Sequence, residues 1–151
     1  MALSNHFKQQ VLSAFLSGET LKVGLLDNSS SYSFSPDNDE FVSDLPTGQE
    51  PSDGSYSRQT LSGLNFSQDN SSDEGVFDAD DVTFSSLTTT NDIQAVFVYR
   101  PGGADDSTPA DDELVAVSDD DSAGSLADLP IATNGSDLTL SFDSQGIVSI
   151  S

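Results

Sequence analysis

The sequence predicts a mostly β fold, an antiparallel β-sandwich or barrel-like domain with one short N-terminal helix. Three observations predict it. Apolar residues come in short alternating runs, the period of a half-buried strand. Turns rich in Ser, Asp and Gly separate those runs, as in antiparallel sheets. One segment alone, residues 4–16, places its apolar residues at helical spacing. The 151 residues are expected to form a single domain over 1–151.

High charge with low hydrophobicity is also the signature of disorder, so folding must be argued. Leu, Ile, Val and Phe make up 38 of the 151 residues. That is above the roughly 20% typical of disordered chains. These residues are also patterned, and the chain is read as folded.

The elements follow in order. Residues 4–16 are the helix, with Ser4 or Asn5 as N-cap and Gly18 as the stop. Phe7, Val11, Ala14 and Phe15 form its stripe, widened by Leu12 and Leu16. The stripe is read first as a face docked on the protein's own sheet. Leu21–Leu26 is a strand. Residues 27–55 form a long loop with a helical turn around Asp39–Leu45, capped by Asn38 or Asp39, with Phe41, Val42 and Leu45 buried. Long loops in small domains are often contact loops. Tyr56–Phe66 is a long strand bent at Gly63. Gly75–Phe77 and Val82–Leu87 flank the acidic turn Asp78–Asp81. Ile93–Arg100 is apolar on both faces, which places it in the middle of a sheet. Leu114–Val117 and Asp137–Phe142 follow. Asp143–Gly146 reads as a hairpin turn into Gly146–Ile150, with Gly146 at a position suited to positive φ. The total is one helix and seven or eight strands.

Charge then limits function. Asp and Glu number 26 against 4 Lys and Arg, a net charge of −22. Four cations cannot replace phosphate counterions, so nucleic acid is excluded as a partner. An anionic membrane surface would repel the chain. No apolar run approaches the roughly 20 residues of a membrane span. The first residues lack the pattern of a secretory signal. With no Cys, thiolate metal sites and a Cys nucleophile are ruled out. Asp dominates, Lys is nearly absent and Ser is abundant, as in proteins of salt-accumulating halophiles. In dilute buffer such charge strains a fold by self-repulsion, and about 1 M salt screens it to within about 3 Å. A DNA-mimicking inhibitor would gather its carboxylates on one surface, whereas here they occupy nearly every loop.

The search for chemistry yields little. His6 is the lone histidine and reads as a surface residue. No GxSxG elbow singles out a serine. Carboxylates cluster at Asp78/Asp80/Asp81, Asp105/Asp106, Asp111/Asp112/Glu113 and Asp119/Asp120/Asp121. They read as solvated turns, and Asp78, Asp80 and Asp81 are only weak metal candidates. Asp69–Gly75 approaches a calcium loop, but Gly75 falls one place late and Asp80 stands where a bidentate Glu belongs. No catalytic residue and no cofactor is expected, structural cations aside. Sequons at Asn28, Asn65, Asn70 and Asn134 are expected by chance in a Ser-rich chain. Arg58 and Arg100 punctuate apolar strands. Each should have a carboxylate partner, within the chain or across a subunit interface.

Several segments in order resemble a family of small structural proteins of tailed viruses. They are Met1–Phe7 with the helix and Lys22–Leu26; Gly54-Ser55-Tyr56-Ser57-Arg58-Gln59; and Val76-Phe77-Asp78-Ala79-Asp80-Asp81-Val82-Thr83-Phe84. The strand Ile93–Tyr99 and the hairpin Leu138–Ile150 complete the set. No single motif is highly specific, and the ordered set carries the resemblance over most of the chain. The acidic loops 101–113 and 118–130 go beyond the pattern. The resemblance implies a virion component rather than an enzyme. The expected function is a capsid decoration or turret protein, on the head rather than the tail of a haloarchaeal tailed virus. It would assemble as a homo-oligomer on the major capsid protein or other virion proteins. The alternatives are a tail, baseplate or fibre component, and an acidic cation- or glycan-binding module. The candidate interface residues are Phe7, Val11, Phe15, Phe41, Val42, Arg58 and Arg100.

Overall fold

Ile93–Arg100 (β6) is one of the two inner strands of the larger sheet, and every residue in it except Arg100 is buried. The computed structural model describes residues 2–27, 32–47, 49–52, 54–103, 108–119, 129–142 and 145–151. The elements are Asn5–Leu16 (α1), Lys22–Asp27 (β1), Gln59–Thr60 (β2), Asn65–Asp69 (β3), Glu74–Asp78 (β4), Val82–Phe84 (β5), β6, Glu113–Asp119 (β7), Leu138–Leu140 (β8) and Val148–Ile150 (β9). The fold is therefore mostly β with antiparallel pairing and one N-terminal helix. No sheet closes into a barrel among the described residues.

The chain forms two compact units. One contains Leu21–Thr60 and Thr83–Leu138. Its sheet has the order β2-β1-β6-β7. Leu25 faces Val96, and Val23 faces Val98. Side chains alternate across a sheet, so Leu21, Val23, Leu25, Val96 and Val98 share one face, and all are buried. Leu26, Ala95, Phe97 and Tyr99 share the other. Tyr32, Val42 and Leu45, from the described part of the 27–55 segment, cover that second face and complete the cluster. Gly24 lies opposite Phe97, and a Cβ there would collide with the Phe97 ring. The missing side chain thus lets the ring lie across the strand.

The expected turn within 39–45 is a short 3-10 turn, Val42–Asp44, rather than a longer helix. Its cap is neither Asn38 nor Asp39. The Asp44 carboxylate takes the amides of Glu40 and Phe41 at 3.1 and 2.9 Å. Asp39 instead accepts from Tyr32 Oη at 2.7 Å and Ser35 N at 2.9 Å.

The other unit contains Met1–Thr20, Leu61–Val82 and Thr139–Ser151. Its sheet has the order β3-β4-β9, with α1 packed on β3 and β4. Ser4 caps the helix by accepting from Phe7 N, and Gly18 follows it at φ +83°. The expected strand Tyr56–Phe66 is broken into β2 and the start of β3. Gly63 makes the break at φ +64°, which few other residues adopt. The hairpin expected at 143–146 does not form in that sense. Its two strands belong to different sheets, β9 beside β4 and β8 beside β5. Gly146 does have positive φ, +71°, and the following amide bonds to Phe77 O at 2.8 Å. It serves the approach to β4. β5 and β8 form a separate two-stranded sheet. Asn28, Asp105, Asp106, Asp120, Asp121, Asp143 and Ser144 lie outside the described residues.

Candidate functional site

The helix turns a different face to its sheet than the apolar stripe predicts. Lys8, Leu12 and Leu16 are its buried residues. Phe7 and Phe15 are 52% and 66% exposed, Leu3 is 55% exposed, and Val11 is half-buried. The reason is close contact at Gly75. A Cβ on Gly75 would lie 2.5 Å from Gln9 N and 2.6 Å from Lys8 C, so the helix backbone rests directly on β4. Polar side chains fix that seat. Lys8 Nζ donates to the Asp73 carbonyl, and Gln9 Nε2 donates to Phe66 O at 2.7 Å. Gln68 Nε2 donates to Gln9 Oε1 at 2.9 Å. The Lys8 stem fills the space a hydrophobic residue would otherwise occupy. An apolar strip containing Phe7, Ala14 and Phe15 is left facing out, and no Asp or Glu precedes Glu19 in the sequence.

The segment resembling a calcium loop is the turn between β3 and β4. Asp69 Oδ1 accepts from Ser71 N at 2.7 Å, Ser71 Oγ at 2.6 Å and Ser72 N at 3.3 Å. These bonds, the Ser71 hydroxyl first, lower its pKa to about 2. The carboxylate is thus engaged in building the turn. The weak metal candidates point to separate partners. Asp78 accepts from Ala79 N at 2.8 Å, Asp80 from Ser62 Oγ at 3.0 Å, and Asp81 from Ser141 Oγ at 3.1 Å and Phe142 N at 3.2 Å. Among the described residues no cluster of three or more His, Cys, Asp or Glu is arranged to hold a metal ion.

Arg58 is the second feature. Its side chain is 13% exposed and meets Glu50 with Nε at 2.8 and 2.9 Å from the two oxygens. Nη1 donates to Tyr99 Oη at 3.1 Å and stands 3.5 Å from Asp112 Oδ2. The guanidinium carbon lies 4.9 Å from the Tyr99 ring centroid and 5.6 Å from that of Phe97. Burial alone would weaken its charge. The bonds to Glu50 and Tyr99 outweigh that and raise its pKa. Nearby, burial and the Glu50 charge push the pKa of the Tyr56 phenol well up, and its oxygen accepts from Leu25 N at 3.0 Å. A cleft of about 240 Å³ opens beside Arg58, lined by Leu26, Val42, Leu45, Phe97 and Glu50. Arg100 has a partner in the chain too, Glu113, on the surface. Phe41, half-buried, lines a second cleft with Phe34 and Leu114.

Sequence reasoning missed three acids, Asp112, Asp119 and Glu50. Asp112 and Asp119 belong to runs read as solvated turns, yet both are fully buried. Asp112 takes Gly102 N at 3.1 Å as well as facing Arg58, and Asp119 takes Phe34 N at 2.5 Å. Asp119 carries a signal of sorts, because it lies two residues past the run Leu114–Val117, in step with Val115 and Val117, and ends β7. Glu50 carries none.

No family model, curated protein or solved structure matches the chain.

Proposed function

We propose that this chain is a virion structural protein, a capsid decoration or turret protein assembling on the head of a haloarchaeal tailed virus. One observation carries the assembly role. The outward strip of α1 exposes Phe7 and Phe15 on a helix free of acids, in a chain of net charge −22. Exposed aromatic side chains grouped on an acid-free helix face support a contact surface there. The ordered resemblance supplies the viral setting, and the Asp-rich composition supplies the salt-rich one. The chain acts as a homo-oligomer, with the major capsid protein or another virion protein as its further partner.

The test is antibody labelling of purified virions. The expected result is label on the heads. Label confined to tails replaces the decoration role with a tail, baseplate or fibre role. Virions without label overturn the virion role altogether.

A further inference from the structure

We infer that Asn134-Gly135 is a latent site of self-modification, where the Gly135 nitrogen displaces the Asn134 side-chain amide, and that the fold blocks it with a clasp on Leu87. The site is independent of the virion role. Asn134-Gly135 is the one Asn-Gly pair in the sequence. The turn calls for both residues. Gly135 stands at φ +84°, and a Cβ there would lie 3.3 Å from Thr88 Oγ1. Asn134 Oδ1 accepts from Ser136 N at 3.0 Å, so the side chain closes a turn onto the backbone two residues on. Asparagine is a thermolabile residue, and a following glycine leaves the approach to its side chain open. The Gly135 N–H gives up its proton and the nitrogen bonds to Asn134 Cγ. The Cγ–Nδ2 bond breaks, and the nitrogen leaves as ammonia with that proton. Water then opens the five-membered imide at either carbonyl, leaving aspartate or isoaspartate at 134.

The folded chain holds back the first step. Gly135 N donates to Leu87 O at 3.0 Å, so the proton that must leave is engaged. Leu87 N donates in return to Ser136 O at 3.0 Å, and Leu87 is fully buried. Two further bonds flank this pair. Asp137 Oδ1 accepts from Ser86 N, and Thr133 Oγ1 accepts from Thr89 N, each at 2.8 Å. Segments 86–89 and 133–137 belong to the same compact unit. Asn134 itself is exposed, so water reaches it and the clasp, not burial, is what protects it. Reaction therefore waits on local opening. Isoaspartate routes the backbone through Cβ and Cγ, one atom longer, so Gly135 N and Ser136 O can no longer both meet Leu87. A chain left open for long becomes one that closes poorly, and its stability is then a matter of rate.

The experiment is peptide mass mapping of the full chain during a long hold at mildly alkaline pH. One sample is folded in about 1 M salt, and a second is unfolded in concentrated guanidinium chloride. A synthetic peptide of residues 131–138 is the unclasped reference. The unfolded chain and the peptide should convert Asn134 to the acid at similar rates. The folded chain should convert at least about tenfold more slowly. Asp137→Ala removes the Ser86 contact and leaves Asn134-Gly135 intact. It should convert faster than the wild type in salt, with an unchanged circular dichroism spectrum. Thr133→Val, which removes the Thr89 contact, takes its place should that variant fail to fold. Equal rates in the folded chain and the peptide overturn the clasp, as does a loosened variant that converts no faster than the wild type. An unfolded chain that keeps Asn134 intact overturns the site itself.

Discussion

Arg58 shows how much one charge can organise in an acidic chain. It is surrounded by Glu50, Asp112 and Tyr99, and Asp112 has no exposure to water. Removing one member of such a group leaves a buried charge uncompensated, which costs about 3–5 kcal/mol. Arg58→Met should lower stability by about that amount in urea unfolding. Arg58→Met/Asp112→Leu should recover part of the loss, since the orphaned carboxylate is then gone. Equal losses in both variants would mean that Asp112 does not depend on Arg58. At this scale the sequence announced the cation but not its partners. An Arg on an apolar strand in a chain with 26 acids needed a carboxylate, yet nothing in the order of residues marked Glu50 or Asp112 over their neighbours. Burial, which separates Asp112 from Asp111 beside it, is a property of the folded sheet.

Among the elements, the strands were the most legible. β6 has the predicted bounds, and its two apolar faces do mean an inner position. Period-two alternation reports burial directly, because a strand has only two faces. The helix was legible in extent but not in orientation. Its largest apolar residues faced out because Gly75 admits its backbone and Lys8 and Gln9 bind carbonyls and a glutamine. Hydrophobic spacing alone cannot weigh a close backbone contact against a bulky side chain. Gly75→Ala tests that seat. The methyl group must push helix backbone rather than a flexible side chain, an overpacking cost of about 1–3 kcal/mol. The thermal midpoint should fall by several degrees. An unchanged midpoint would show that α1 does not sit against β4 so closely. The C-terminal hairpin misled for a related reason. Turn residues at 143–146 fix local geometry, but they do not say which strand a segment joins.

For the molecule as a whole, charge is a condition of folding. With −22 spread over 151 residues, self-repulsion opposes the compact state unless ions screen it. Dilution from about 1 M salt toward millimolar levels should abolish the β signal in circular dichroism, reversibly when salt is restored. A spectrum indifferent to dilution would separate the composition from any salt requirement. The inner strand gives the same acidity a second consequence, one that belongs to the time before the fold exists. Ile93–Arg100 is an eight-residue apolar β segment whose partner β1 lies far earlier in the chain, Leu25 opposite Val96. Pairing across such a separation is slow, because a long loop must close first. Until then the segment is a template for joining other unfinished chains. Asp92 stands before it, and Arg100 and Pro101 close it, which are the residue types that guard aggregation-prone strands. The surplus carboxylates extend that guard to the whole newly made chain, keeping copies apart until each has buried its own central strand.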